Sequence, residues 1–523
     1  MSARIRTFAL VTALLVATGL GACGSPGPSP DVPGIVPRPV ELTSGGRPFV
    51  LDEGATVVAD PALAQPAAAL VELVHDDTGL TLAAGSGSSE IRLTLDEGVE
   101  GIDGYRLRVD EDGVEIAAAG PGGAFAAVQT LRQLVPPGDD GASRPVPAVE
   151  VVDRARYAYR GAMLDVARHF FRVEDVERYI DDVAALKVNH LHLHLTDDQG
   201  WRIAITSWPR LTEVGAAFAV DHAPGGFYTQ DDYRAIVAHA AARGVTIVPE
   251  VDMPGHTNAA LASYAELNPS GKAAPPYIGI EVGFSTLDPS SETTYRFVED
   301  VLDELAALTP GPYLHIGGDE SDATSDDEYA AFVTRVAQLA ADTGKTVVGW
   351  HDIVKADSLP PGTIGQYWGY TEPDGRSLTP QVQSFVERGG QLIMSPADVA
   401  YLDMKYNFLT PHGLTWARGY TDLEEAYSWD PAAVLPGVDD DAILGVEAPM
   451  WTETLRTIQQ VEWMAFPRLA ALAEIAWTPQ DDRDFDDFTT RVAALGTHWD
   501  ASGLSYRQVD GVPWAGGKGD GQG

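Results

Sequence analysis

Asp319 and Glu320 stand side by side after the run Tyr313-Leu314-His315-Ile316 and two glycines. That run reads as a short buried strand, and the glycines break it. Adjacent carboxyls can occupy different surroundings, so one can stay ionised while the other keeps a proton. Such a pair suits acid–base work. Other groups of catalytic type recur along the chain, each shortly after an apolar run. They are Arg168 with His169, then Asp197 with Asp198 and Trp201, and then Glu250 with Asp252 and His256. Further on come Trp350, Trp368, Tyr401 with Asp403, and Trp451 with Glu453. Indole faces stack on the C–H face of a pyranose while charged groups fix its hydroxyls, so this set of types suits a sugar.

The apolar runs that precede these residues must position them. Strands are expected at 162–166, 190–195, 245–249, 313–316, 346–349, 363–367, 391–394 and 443–446. Helical stretches at 173–186, 229–243, 291–308 and 327–343 alternate with them, the pattern of a parallel α/β fold. Eight strands over this length match one closed (β/α)₈ barrel, whose active site sits at the C-terminal strand ends. The catalytic barrel is expected over 153–480, with a long loop near 405–440. Segment 480–505 reads as one more helix packed on the barrel, and 481–523 as a C-terminal helix with a disordered glycine-rich tail from Gly516.

Before the barrel, residues 35–152 read as a small α/β sandwich. Alternating runs such as Ile91–Leu95 and Tyr105–Val109 predict strands of an antiparallel sheet. Helices are expected at 62–77 and 123–135, the first leading into Gly79 and the second ending before Pro136-Pro137.

The chain has 523 residues and a net charge of −41. That charge argues against nucleic acid and against electrostatic adhesion to anionic lipid. Arg4 and Arg6 precede an apolar stretch from Phe8 to Val16, too short for a comfortable membrane span. Residues 1–22 therefore read as an export signal. It ends on Leu-Gly-Ala-Cys (20–23), which resembles a bacterial lipobox, and Cys23 is the one cysteine of the chain. The expectation is a lipid anchor at Cys23, a flexible tether over 23–34, and an outward-facing membrane lipoprotein or a secreted protein. No second hydrophobic span is read.

Four histidines, His169, His192, His194 and His256, raise the question of zinc. No zinc-ligand spacing such as HExxH accompanies them, so no metal and no cofactor are expected. His192 and His194 alternate with leucines and are expected to fill barrel layers.

Six motifs, in order around the expected barrel, carry a family resemblance. They are Arg-Gly-Ala-Met-Leu-Asp-Val-Ala-Arg-His-Phe-Phe (160–171), His-Leu-His-Leu-Thr-Asp-Asp-Gln-Gly-Trp-Arg (192–202), Pro-Glu-Val-Asp-Met-Pro-Gly-His (249–256), His-Ile-Gly-Gly-Asp-Glu (315–320), Tyr-Leu-Asp-Met-Lys-Tyr (401–406) and Glu-Ala-Pro-Met-Trp-Thr-Glu (447–453). Over roughly residues 35–505 the chain resembles the β-N-acetylhexosaminidases of glycoside hydrolase family 20, near the exo-acting actinobacterial members. The resemblance implies a retaining, substrate-assisted hydrolysis, in which the 2-acetamido oxygen attacks the anomeric carbon and forms an oxazolinium intermediate. Such a mechanism is an exception to the two-carboxylate rule.

Roles follow by the same resemblance. Glu320 is the general acid and then base, and for that its carboxyl must hold a proton near neutral pH, which burial or the charge of Asp319 would favour. Asp319 accepts the acetamido N–H, and Tyr401 donates to the acetamido oxygen. Asp197 and His256 form a relay behind Glu320. Trp350, Trp368 and Trp451 wall the sugar, with Trp416 on the long loop as a further wall residue. Arg168, Asp403 and Glu453 hold the outer hydroxyls. The expected partners are β-linked N-acetylhexosamine oligosaccharides or glycoconjugates. Competing readings are a surface lipoprotein that binds amino sugars without cleaving them, and a related exo-glycosidase such as a lacto-N-biosidase. The natural substrate, the gluco or galacto preference and the oligomeric state are not legible at this level.

Overall fold

The computed structural model describes residues 34–515 apart from 86 and 88. The expected export signal, Cys23, nearly all of the tether and the tail from Gly516 lie outside the described residues. No described helix is long and apolar enough to cross a membrane.

The N-terminal layer is a seven-stranded sheet. Its order is Glu41–Ser44, Val149–Ala155, Ile102–Asp110, Gly113–Ala118, Ser89–Leu95, Ala55–Ala59 and Ala83–Ala84. The first four strands pair antiparallel, and the last four pair parallel. The sheet is therefore mixed, not antiparallel as expected. The alternation of Ile91–Leu95 reports that one face is buried and carries no information on strand direction. Direction is set by the connection. Helix Ala64–Thr78 lies between Ala55–Ala59 and Ser89–Leu95, and a crossover of that kind returns the chain parallel. Helix Pro121–Leu134 packs beside it, and both bury their apolar stripe in the core of this layer.

The barrel has the eight expected strands with small shifts at their ends. They are β1 (Tyr159–Asp165), β2 (His190–His194), β3 (Thr246–Glu250), β4 (Tyr313–His315), β5 (Thr346–Trp350), β6 (Ile364–Tyr367), β7 (Gln391–Met394) and β8 (Ile443–Ala448). All neighbours are parallel, and β8 pairs β1 to close the ring. Helix Val173–Ala184 shows why the outer layer forms. Val176, Tyr179, Ile180 and Val183 recur at helical spacing and are buried on the barrel, and Glu174 and Asp175 favour its N-terminal end. An acid in place of Ile180 would put an unpaired charge into that seam.

Helix Phe485–Ser502 returns to the barrel and packs Phe488, Val492, Leu495 and Trp499 into its outer core. Trp477 belongs to the N-terminal core instead. Beside it the Lys187 ammonium is fully buried, 3.0 Å from Asp153 and 4.4 Å above the Trp477 ring. This pair fastens the two layers. Between β7 and β8 the long loop carries the short helices Ala397–Ala400, Leu423–Tyr427 and Pro431–Val434. Buried Arg468 pins it by donating to the carbonyl oxygens of Leu402 at 2.6 Å, Met404 at 2.8 Å and Thr421 at 3.0 Å.

Candidate active site

Most of the residues singled out in the sequence converge at the C-terminal end of the barrel. The turn after β4 is the tightest piece. Gly317 has φ 65°, and a Cβ there would lie 1.8 Å from Asp252 Oδ1. Only glycine allows this approach. In return the Gly318 N–H donates to Asp252 Oδ1 at 2.9 Å. The chain then delivers Asp319 inward, buried, and Glu320 at the rim, with its side chain 31% exposed. The two acids thus occupy different surroundings, as their adjacency predicted.

His256, from the loop after β3, stands behind both. Its Nε2 lies 3.6 Å from Glu320 Oε2 and 3.7 Å from Asp319 Oδ2. Its Nδ1 lies 3.2 Å from Asp197 Oδ2. Burial works against the imidazolium, but Asp197, Asp319 and Asp252 together hold it charged well above the ordinary histidine range. Burial likewise opposes the Asp197 carboxylate, and Arg168, His256 and His194 more than reverse that and keep it ionised. Arg168 Nη2 forms an ion pair with Asp197 Oδ2 at 2.8 Å, and its guanidinium lies over Trp451 at 4.7 Å.

Asp319 differs. Burial first, and then Asp252, push its carboxyl well above the usual range, with His256 pulling the other way. Burial also raises Asp252, to about 7. The two acids share a hydrogen bond, so one proton serves both.

The aromatic residues form a second group. Trp350, Trp368, Tyr401 and Trp451 belong to one buried cluster with Met163 and Met404. Trp350 and Trp451 lie 5.8 Å apart, and Tyr401 lies 6.3 Å from Trp451. Trp416, 41% exposed, stands edge-on to Tyr401 at 5.7 Å and to Trp368 at 6.1 Å. Trp350 is wholly buried and backs the wall that the others present. Asp403 is buried, and burial with the neighbouring Glu453 raises its carboxyl. Glu453 is raised by burial and opposed by Arg168. Trp201 joins the outer core against Phe297 and takes no part.

Several buried polar atoms of this region have no hydrogen-bond partner among the described residues. They are Asp319 Oδ1, both oxygens of Asp403, Arg168 Nε and Nη1, and His256 Nε2. Buried polar groups are normally satisfied, so a cluster of unsatisfied ones is what a polar ligand would complete.

A deeper layer does more than the barrel filling expected of its histidines. His192 and His194 do fill the barrel, fully buried. Both ring nitrogens of His192 face carboxylates, Glu447 at 2.8 Å and Glu250 at 3.0 Å. His194 bonds Glu250 through Nδ1 and Asp197 through Nε2 at 2.8 Å. A ring with two carboxylate partners donates from both nitrogens and is an imidazolium. Burial alone would discharge both rings. Glu447 and Glu250 raise His192 to about 9, and Glu250 and Asp197 raise His194 to about 10. Glu250 also accepts from Trp350 Nε1 at 2.9 Å and lies 3.1 Å from His315. Asp165, at the end of β1, accepts from the N–H groups of Ala167 and Arg168 and so sets the turn that carries Arg168. Asp352 accepts from Trp368 Nε1 at 2.9 Å. The only sequence signal for this layer is the two-residue period that aims His192, His194 and Glu250 inward.

Among the described residues, four groups in this region bring ligand-type atoms within 4.8 Å of one another, for example His192, Glu250 and His315. In that group the atoms are already engaged with each other through hydrogen bonds and ion pairs.

Comparison with known proteins agrees with this geometry. Residues 157–480 match the catalytic domain of glycosyl hydrolase family 20, and residues 32–154 match domain 2 of that family. A β-N-acetylhexosaminidase of Cellulomonas fimi is 44% identical over 495 residues, covering 93% of this chain and 98% of its own. The β-N-acetylhexosaminidase of Streptomyces coelicolor A3(2) superposes with a TM-score of 0.87 at 48% identity, covering 92% of this chain and 98% of its own. The Streptomyces plicatus N-acetyl-β-hexosaminidase, solved with Thio-NAglucal, superposes with a TM-score of 0.88 at 47% identity, covering 93% and 99%. With both domains matched in order and the paired acids at the end of β4, the chain belongs to glycosyl hydrolase family 20.

Proposed function

We propose that this family 20 member is an exo-acting β-N-acetylhexosaminidase that releases a terminal β-linked N-acetylhexosamine with the substrate's acetamide as nucleophile. The observation that carries the mechanism is the pairing of buried, unpartnered Asp319 Oδ1 with rim-lying Glu320 on one turn. Two acids on one turn are poorly placed to flank a glycosidic bond from opposite faces at ~5 Å, as a two-carboxylate retaining mechanism requires. They are well placed to act on two different groups of one sugar.

In this reading Glu320 protonates the leaving oxygen and later takes a proton from the attacking water. His256, charged and held by Asp197, faces the Glu320 carboxylate formed in the first step and stabilises it. Asp319 Oδ1 accepts the acetamido N–H. The positive charge developing on the oxazolinium favours the ionised form of Asp319, and the proton that Asp319 holds at rest passes to Asp252 across their hydrogen bond. Tyr401 donates to the acetamido oxygen and aims it at the anomeric carbon. Trp368, Trp416 and Trp451 wall the sugar, with Trp350 behind them, and Arg168, Asp403 and Glu453 take its hydroxyls. None of these steps calls on a metal, so exhaustive chelation is expected to leave turnover intact.

Similar proteins support the substrate class. A Streptomyces plicatus β-hexosaminidase and a Vibrio harveyi exo-β-N-acetylglucosaminidase are solved with N-acetylglucosamine, the former as product. The test is hydrolysis of aryl β-N-acetylglucosaminide, β-N-acetylgalactosaminide and β-glucoside. Turnover is expected only where the 2-acetamido group is present, and comparable turnover of the glucoside contradicts the reading. Anchoring of the mature chain through a lipid on Cys23 belongs to the same proposal. Mass spectrometry of the N-terminal peptide, with and without Cys23→Ser, decides it.

A further inference from the structure

Of the aromatic residues Trp350, Trp368, Tyr401, Trp416 and Trp451, only Trp416 is exposed. The segment that carries it is fixed at both ends. Leu414 N–H donates to Asp403 O at 2.9 Å, and Thr421 N–H donates to Lys405 O at 2.9 Å. In between, Ala417 is buried in the aromatic cluster, while Thr415, Trp416, Arg418 and Tyr420 are exposed. Among the described residues, every hydrogen bond that leaves 415–420 for another loop comes from Arg418. It grips the loop after β6, which also carries Trp368. Nη2 donates to Glu372 O at 2.7 Å, and Nη1 donates to Glu372 Oε2 at 3.4 Å. The guanidinium lies over the Tyr370 ring at 4.5 Å. Nη1 also lies 4.0 Å from Asp398 Oδ2. Asp398 accepts from Thr371 N–H at 2.9 Å through its carboxylate and from Thr421 Oγ1 at 2.9 Å through its backbone oxygen, so it joins the same two loops.

The backbone does not ask for an arginine here. Arg418 has φ 62°, in the left-handed region that favours glycine. Its N–H donates to Trp416 O at 3.0 Å, so this turn sets the course of the chain at Trp416. The side-chain contacts are what an arginine adds. A guanidinium suits them, because its plane covers Tyr370 while its fork reaches Glu372.

We propose that Arg418 is a positioning residue for the hydrolysis: it clasps the loop of Trp416 to the loop of Trp368 and so holds Trp416 against the sugar ring. The inference rests on the reading of Trp416 as a wall of the sugar site in the proposed hexosaminidase. Trp416 meets Tyr401 at 5.7 Å and Trp368 at 6.1 Å, both edge-on. Those contacts hold it on one side, and its other side faces solvent. The clasp supplies the missing restraint. Arg418 acts through Trp416 and not on the sugar.

The experiment is a double-mutant cycle of Arg418→Gly and Trp416→Ala, assayed on an aryl N-acetyl-β-glucosaminide. Glycine accepts a φ of 62°, so Arg418→Gly removes the clasp without straining the turn, and its thermal midpoint is expected to stay near that of wild type. KM is expected to rise about three- to tenfold with kcat within about twofold, since a wall touches substrate and transition state alike. Trp416→Ala is expected to raise KM by itself, and Arg418→Gly added to it to change KM no further. An unchanged KM in Arg418→Gly, or a rise that persists in the Trp416→Ala background, overturns the proposal. So does a Trp416→Ala variant with the KM of wild type, because there is then no wall to position. Wild type without turnover of the N-acetylglucosaminide is a separate result, which overturns the hexosaminidase reading and this proposal with it.

Discussion

Trp350 Nε1 donates to Glu250 Oε1 at 2.9 Å, so the back wall of the sugar pocket is fixed to a carboxylate inside the barrel. The other oxygen of that carboxylate bonds His192 and His194, and His194 bonds Asp197. In the proposed mechanism Glu250 therefore positions the acetamide wall and the relay behind Glu320 at the same time, without facing the reacting atoms.

Glu250→Gln keeps the shape and removes the charge. His192 and His194 are then left as buried imidazoliums with one carboxylate each. Breaking a buried pair by removing one partner typically costs about 3–5 kcal/mol, so a loss of that order is expected in urea unfolding. A fall in kcat larger than the rise in KM should accompany it, because the relay loses its support. Unfolding free energy within about 1 kcal/mol of wild type would show that Glu250 is not a hub.

Asp252 makes stability depend on pH in a defined window. Burial, with Glu250, raises its folded-state pKa to about 7 against the pull of His256. A folded pKa above the unfolded value means that protonation favours the fold. The contribution is complete below about pH 4 and is lost as pH rises through about 7, on the order of a few kcal/mol. His192 and His194, raised to about 9 and about 10, lose their contribution at higher pH. The thermal midpoint should thus fall between about pH 4 and 7, and Asp252→Asn should flatten that part while leaving the decline toward pH 10. An unchanged slope in the variant contradicts the shared proton.

Glu320→Gln removes the proposed proton donor. Turnover should fall by about 10²–10⁴-fold, with the larger loss on substrates whose leaving groups are poor. Equal losses on activated aryl and on alkyl N-acetylhexosaminides would remove Glu320 from the role of acid.

Much of this site was legible in residue types and order. An acid, a tryptophan, a tyrosine or an arginine follows each barrel strand, and a barrel fixes where strand ends meet, so Arg168, Asp197, His256, Asp319 and Tyr401 converge as expected. Glu250, Asp252, Asp165 and Asp352 acquire their roles only through partners distant in the chain. Glu250 and Trp350 are 100 positions apart, and no local pattern joins them. The parallel half of the N-terminal sheet was missed for a related reason. Alternation reports which face is buried, whereas direction follows from the helix Ala64–Thr78 that crosses between two strands.

The central claim is that the acetamide of the substrate, and no protein carboxylate, attacks the anomeric carbon. The direct measurement is kcat/KM for one aryl β-glucosaminide carrying acetyl, fluoroacetyl, difluoroacetyl and trifluoroacetyl groups on nitrogen. Each fluorine withdraws electrons from the amide oxygen and makes it a poorer nucleophile. A steep, monotonic fall along the series is the predicted result. A flat series, with a covalent glycosyl ester trapped on the protein, would contradict it.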